Sequence, residues 1–144
     1  MKHLITALAA TAIMTACTNE QKILVLYYSQ TGTTKSVAES FSTQLGADIC
    51  SFDVEEAYDG DFNQTIVRCQ QEQASGFIPT LKPLDKKIAD YDVIFLGYPV
   101  WFGTYAPPVA ALLQNEQFDG KTIVPFCTFG SGGLNTSSDQ LRAQ

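Results

Sequence analysis

The sequence predicts one α/β domain, a parallel sheet with helices on both faces. Near-continuous apolar runs of strand length, the pattern of strands buried on both sides, occur at Lys22–Tyr28, Tyr91–Gly97 and Thr122–Cys127. Segments of helical apolar spacing separate them, so strand and helix alternate along the chain. Residues 29–34, 99–105 and 128–133 each follow a strand. Sheets of this kind bind ligands there, beyond the carboxyl ends of the strands where strand order reverses.

The first residues stand apart from that domain. Met1-Lys2-His3 is a short positive head, Leu4 to Met14 is an apolar run, and small residues precede Cys17. The run is too short to span a bilayer, which takes about 20 residues. The arrangement resembles a bacterial lipoprotein signal, which implies cleavage before Cys17 and acylation of its thiol. The expected organisation is a signal peptide at 1–16, a lipid-anchored tether at 17–21 and a domain at 22–144. The chain is then exported, and touches a bacterial membrane by its lipid anchor only.

Lys22–Tyr28 reads as the first strand. Val37, Phe41 and Leu45, at four-residue spacing, predict an amphipathic helix over Thr33–Leu45 ended by Gly46. Ala47–Phe52 reads as a second strand and Asn63–Ala74 as a helix, followed by turns at Gly76, Pro79 and Pro83. Tyr91–Gly97 is the third strand. Pro107 and Pro108 suit the first turn of a helix through about Gln114. Asp119-Gly120 makes a turn into a fourth strand, Thr122–Cys127, where Pro125 stands out because proline cannot donate to a ladder. Asn135–Gln144 starts another helix.

Composition excludes several kinds of chemistry. The formal net charge is −6, and no Lys/Arg cluster exists of the sort that nucleic acid requires. Asp53, Glu55, Glu56, Asp59 and Asp61 form either a solvated loop or a negative rim that steers a partner. Cys50, Cys69 and Cys127 form no C-x-x-C pair, which argues against a zinc site or a thioredoxin-like redox pair. The only histidine, His3, leaves with the signal. Imidazole-based nucleophilic catalysis and histidine metal sites leave with it. No metal site is expected, and no residue is assigned a covalent catalytic role.

The loop Ser29-Gln30-Thr31-Gly32-Thr33-Thr34 joins a buried strand to a helix start, where backbone amides lack partners and the helix dipole is positive. Gly32 permits close approach or positive φ, and Ser29, Thr31, Thr33 and Thr34 offer hydroxyl donors. Lys35 is expected to point outward. The pattern is neither a Walker loop nor a dinucleotide fingerprint. It resembles the phosphate loop of the flavodoxin family, with Thr31-Gly32-Thr33-Thr34 matching the core of that motif, and the resemblance covers essentially all of residues 22–144.

That resemblance implies FMN as cofactor and a three-layer sandwich with strand order 2-1-3-4(-5). Its phosphate is expected on the first loop. The second loop, with Pro99, Val100, Trp101, Phe102 and Gly103, is expected to line the flavin, since a cluster of aromatics on a loop calls for a flat apolar partner. The third, with Thr128, Phe129, Gly130, Ser131, Gly132 and Gly133, offers backbone amides to the ring edge. Family members continue into a fifth strand and a last helix, which this chain is expected to lack. Strand 122–127 would then be an open edge. In that order Cys50 and Cys127 lie three strand spacings apart, about 14 Å, too far for a disulfide.

The leading expectation is a flavin redox carrier working with a partner protein or a small electron acceptor. Surroundings without Lys/Arg disfavour the anionic reduced ring; a thousandfold affinity difference would lower the one-electron potential by roughly 180 mV, at about 59 mV per tenfold. The alternatives are an NAD(P)H-dependent FMN oxidoreductase of quinones or similar acceptors, and a non-redox binding module that has lost flavin.

Overall fold

β1 (Ile23–Tyr27) is the inner strand on which the rest of the sheet is built. The computed structural model describes residues 20–144; the expected signal peptide, Cys17 and most of the expected tether lie outside the described residues. On one side β1 pairs in parallel with β2 (Asp48–Ser51), Leu24 facing Asp48. On the other it pairs in parallel with β3 (Val93–Trp101), Ile23 facing Val93. β3 also pairs in parallel with β5 (Thr122–Thr128), Val93 facing Thr122. The parallel order is therefore β2-β1-β3-β5, the predicted 2-1-3-4 once a short additional strand is numbered.

That additional strand, β4 (Thr104–Tyr105), corrects the expectation of an irregular loop at 99–105. β3 runs past Gly97 to Trp101 because β4 folds back on it, with Val100 facing Tyr105 and Trp101 facing Thr104. Phe102 and Gly103 make the turn at φ 53° and 77°. Positive φ at both central residues is what a type I′ hairpin turn requires. The usual Asn-Gly signal is absent, so the hairpin escaped detection.

The helices follow the sequence closely. α1 (Thr33–Leu45) ends on Gly46 at φ 60°, whose amide donates to the Ser42 carbonyl. α2 (Phe62–Ser75) begins a residue before the expected Asn63, because Asp61 and Gln64 form a reciprocal capping box. α3 (Pro107–Asn115) opens on its two prolines, and α4 spans Leu134–Arg142.

Alternation along β1 divides the core. Leu24, Leu26 and Tyr28 join Ile94, Leu96, Tyr98 and the α3 residues Val109 and Leu112 in the larger cluster. Val25 and Tyr27 face the other way, against Ala38 and Phe41 of α1. Among the described residues β5 pairs only with β3, and an edge strand tolerates Pro125. Cys50, Cys69 and Cys127 are free thiols.

The Phe126 ring lies over Gly97, where an added Cβ would come within 2.2 Å of it. Phe126 is itself packed against Phe41, with ring centroids 5.0 Å apart. Gly97→Ala should therefore cost about 1–3 kcal/mol, the ordinary range for overpacking, read as a lowered urea midpoint.

Burial also holds protons on the chain. It raises the pKa of all six tyrosines and all three described thiols, with Cys69 pushed up to about 11. Tyr91 rises to about 12, from burial first and then from its bond to the Asp48 carboxylate. These groups favour the folded state while they stay protonated. Above about pH 9 the unfolded chain releases protons that the folded chain keeps, so stability falls as pH rises. Urea midpoints should be level up to about pH 8 and decline steadily above it.

Candidate functional site

The site begins where β1 hands over to α1. The Tyr28 amide still bonds the Gly97 carbonyl at 3.0 Å, so the chain leaves the sheet only at Ser29. Ser29 Oγ then accepts from the Gly32 amide at 3.1 Å and closes the turn. Gly32 takes φ 94°, a left-handed value that glycine adopts without strain. No side chain caps α1, which leaves its first-turn amides directed at whatever lies beyond them. Thr31 is exposed there. Thr34 is 1% exposed, and its hydroxyl meets the Thr128 hydroxyl at 2.8 Å. Thr34 is therefore a latch between the first and third loops.

The end of β3 supplies the second wall. Trp101 is held edge-on by two tyrosines, Tyr28 at 5.8 Å and 85° and Tyr58 at 5.3 Å and 69°. The third wall is the glycine loop after β5. Gly133, at φ 88°, presses against the hairpin turn: an added Cβ would lie 2.7 Å from both Gly103 Cα and Val100 Cγ1.

These three loops enclose one cleft of about 610 Å³, within the roughly 300–1,000 Å³ of small-molecule sites. Ser29, Thr31 and Thr34 line it from the first loop, Pro99, Val100, Trp101, Phe102 and Gly103 from the second, and Thr128, Gly130, Ser131, Gly132 and Gly133 from the third. Three expected residues do not line it. Gly32 faces a smaller hollow beside Lys35. Thr33 and Phe129 point to solvent, Phe129 being about half exposed.

Four lining residues were missed: Gln30, Phe62, Thr65 and Ile66. Gln30 bridges the first loop to α2, its Nε2 donating to the Tyr58 carbonyl at 2.7 Å and to Thr65 Oγ1 at 2.9 Å. That bridge brings the first turns of α2 to the cleft, a long-range contact without a local signal. Phe62, at the start of a capped helix, is 79% exposed.

None of the lining residues is charged. Lys35 turns outward, as expected, toward Glu39 at 3.8 Å. Of the acidic run, Asp53 pairs with Lys82 at 3.2 Å and Asp61 caps α2; none of its members enters the cleft. The chemistry on offer is thus an amide-rich anion seat at one end and a neutral slot flanked by Trp101, Phe102 and Phe62 at the other. A molecule with a phosphate and a flat ring fits that donor set.

Comparison with known proteins agrees with this geometry. The sequence model of the flavodoxin family matches residues 22–144. No match was found among curated proteins. Among solved structures, a candidate flavoprotein from Bacteroides eggerthii DSM 20697 is 31% identical with a TM-score of 0.77, covering 85% of this chain and 80% of its own. Another from Bacteroides uniformis ATCC 8492 is 27% identical with the same TM-score, covering 85% and 81%. The flavoprotein of Lactobacillus acidophilus NCFM, solved in complex with FMN, is 27% identical with a TM-score of 0.74, covering 85% of each chain.

Two glycines of the third loop should respond differently to alanine. Gly133→Ala drives a Cβ into backbone at a positive φ, and is expected to cost about 1–3 kcal/mol and to part the two loops. Gly130 has open space around it, so Gly130→Ala should stay within about 0.5 kcal/mol of the parent. Thermal melts of the pair check this.

Proposed function

The chain belongs to the flavodoxin family, and from that premise we propose that it binds FMN noncovalently in this cleft and serves as a redox carrier. The observation that carries the reading is the meeting, in one uncharged cleft, of the uncapped start of α1 and the edge-held Trp101. The FMN complex of the Lactobacillus acidophilus flavoprotein supports it. FMN, when bound, supplies one- or two-electron transfer; the protein sets its orientation and surroundings. The residues that would hold the phosphate are Thr31, Ser29 and the first-turn amides of α1. Trp101, Phe102 and Phe62 would flank the ring, and the amides of Gly130 to Gly133 would face its polar edge. Thr34 acts on the ligand through its latch to Thr128.

A carrier is favoured over an NAD(P)H-dependent reductase of quinones because no lysine or arginine lines the cleft to receive a dinucleotide's phosphates. By its lipoprotein-like signal we infer that the protein is exported and anchored through Cys17 to a bacterial membrane, on the periplasmic or surface side.

Titration with FMN should give a yellow complex and quench Trp101, the only tryptophan. A protein fraction that is colourless after gel filtration from excess FMN refutes the reading. Hydrogen bonds to a charged group are worth about 1.5–3 kcal/mol, so Thr31→Ala should weaken FMN roughly tenfold to a hundredfold while the fold persists.

A further inference from the structure

The orientation of Trp101 is set from behind the cleft. Tyr58, on the segment between β2 and α2, is 4% exposed and fixed at both ends. Its backbone carbonyl accepts from Gln30 Nε2 at 2.7 Å. Its phenol donates to the Glu72 carboxylate. The Arg68 guanidinium lies over the same ring, 3.9 Å from its centroid. Arg68 Nε donates to Glu72 Oε1 at 2.8 Å, and Arg68 Nη1 donates to the Ala57 carbonyl at 3.0 Å. Glu72, only 8% exposed, thus takes hydrogen bonds on both oxygens. The ring so held meets the indole at 5.3 Å between centroids and 69° between planes.

As a source of stability this is a poor use of an ion pair, because the desolvation of buried charges cancels most of their attraction. As a device for fixing a ring it is complete. A buried tyrosine held only by apolar neighbours turns about its last torsion. Here the para position, one face and the main chain are each committed to a polar partner. The second ring against the indole, Tyr28, is 3% exposed and comes from the end of β1, so it has little freedom of its own.

We propose that Glu72, Arg68 and Tyr58 are positioning residues that set the angle of the Trp101 indole, and through it the seat of the flavin ring. The second half rests on the FMN reading above; the first stands on the protein alone. None of the three lines the cleft, so they act through Trp101 and not by touching the ligand.

One tryptophan in the chain makes the test direct, since its fluorescence and its near-ultraviolet circular dichroism band report Trp101 only. Tyr58→Phe removes the phenol O–H and keeps the ring, Glu72→Ala removes the acceptor, and Glu72→Gln keeps shape and one acceptor oxygen. In flavin-free protein, the first two should lose about half of the tryptophan band and roughly double acrylamide quenching. Far-ultraviolet dichroism should stay unchanged, and Glu72→Gln should retain most of the parent signal. Phe41→Leu, which loosens packing on the opposite face of the sheet, should leave the band intact. FMN should bind Tyr58→Phe several-fold more weakly than the parent.

A folded Tyr58→Phe with parental tryptophan signals overturns the proposal, and that variant decides alone if Glu72→Ala does not fold. A loosened indole with parental FMN affinity overturns the link to the ring. A parent that takes up no FMN overturns the FMN reading, and the flavin-free measurement still decides whether the indole is positioned.

Discussion

Every wall of the cleft is keyed to the free amino end of α1. Four amides at a helix start need partners, and here no side chain supplies a cap. Instead Ser29 uses its hydroxyl to shut the turn from below, and Gly32 swings the chain through a left-handed angle. The helix thereby enters with its amides facing outward at the carboxyl end of the sheet. Water can satisfy these exposed amides, but the positive end of the helix dipole favours an anion at this point. The remaining walls are arranged around that preference.

Two contacts keep those walls in register. A hydroxyl pair joins Thr34 to Thr128, and a glycine-to-glycine approach seats Gly133 against Gly103. Each links loops far apart in sequence and is made entirely by the protein. Such pre-formed walls lower the ordering cost that a ligand must meet on arrival. The absence of charge along the lining has its own effect: recognition rests on directed dipoles and ring contacts, which discriminate by shape more than by net charge.

Much of this was legible in the sequence because it depends on local chemistry. The apolar runs at 22–28, 91–97 and 122–127 announced buried parallel strands, and α1 was bounded correctly by its spacing and by Gly46. The three loops were found because each follows a strand. What escaped is what local chemistry does not encode. β4 pairs through a turn whose first central residue is phenylalanine, where asparagine or glycine would have marked it. Gln30 reaches α2 across 35 positions of chain, to Thr65, so no window of sequence contains both partners. Thr34 lines the cleft as expected, but its hydroxyl contact to Thr128, 94 positions away, has no local signal. Arg68 and Glu72 stand at the helical spacing of an ordinary ion pair, and only the fold brings Tyr58 to them.

Phe102 occupies a backbone angle that suits glycine or asparagine, at φ 53°. Holding a bulky residue there costs about 1–3 kcal/mol. The hairpin would relax with a smaller residue, yet the cleft would then lose an aromatic rim. Selection for a sturdier chain and selection for a well-shaped mouth therefore pull on this codon in opposite directions. Homologues that have given up the ligand should be free to resolve the conflict in favour of the backbone, which makes the identity of this one residue a marker of whether a lineage still uses its cleft.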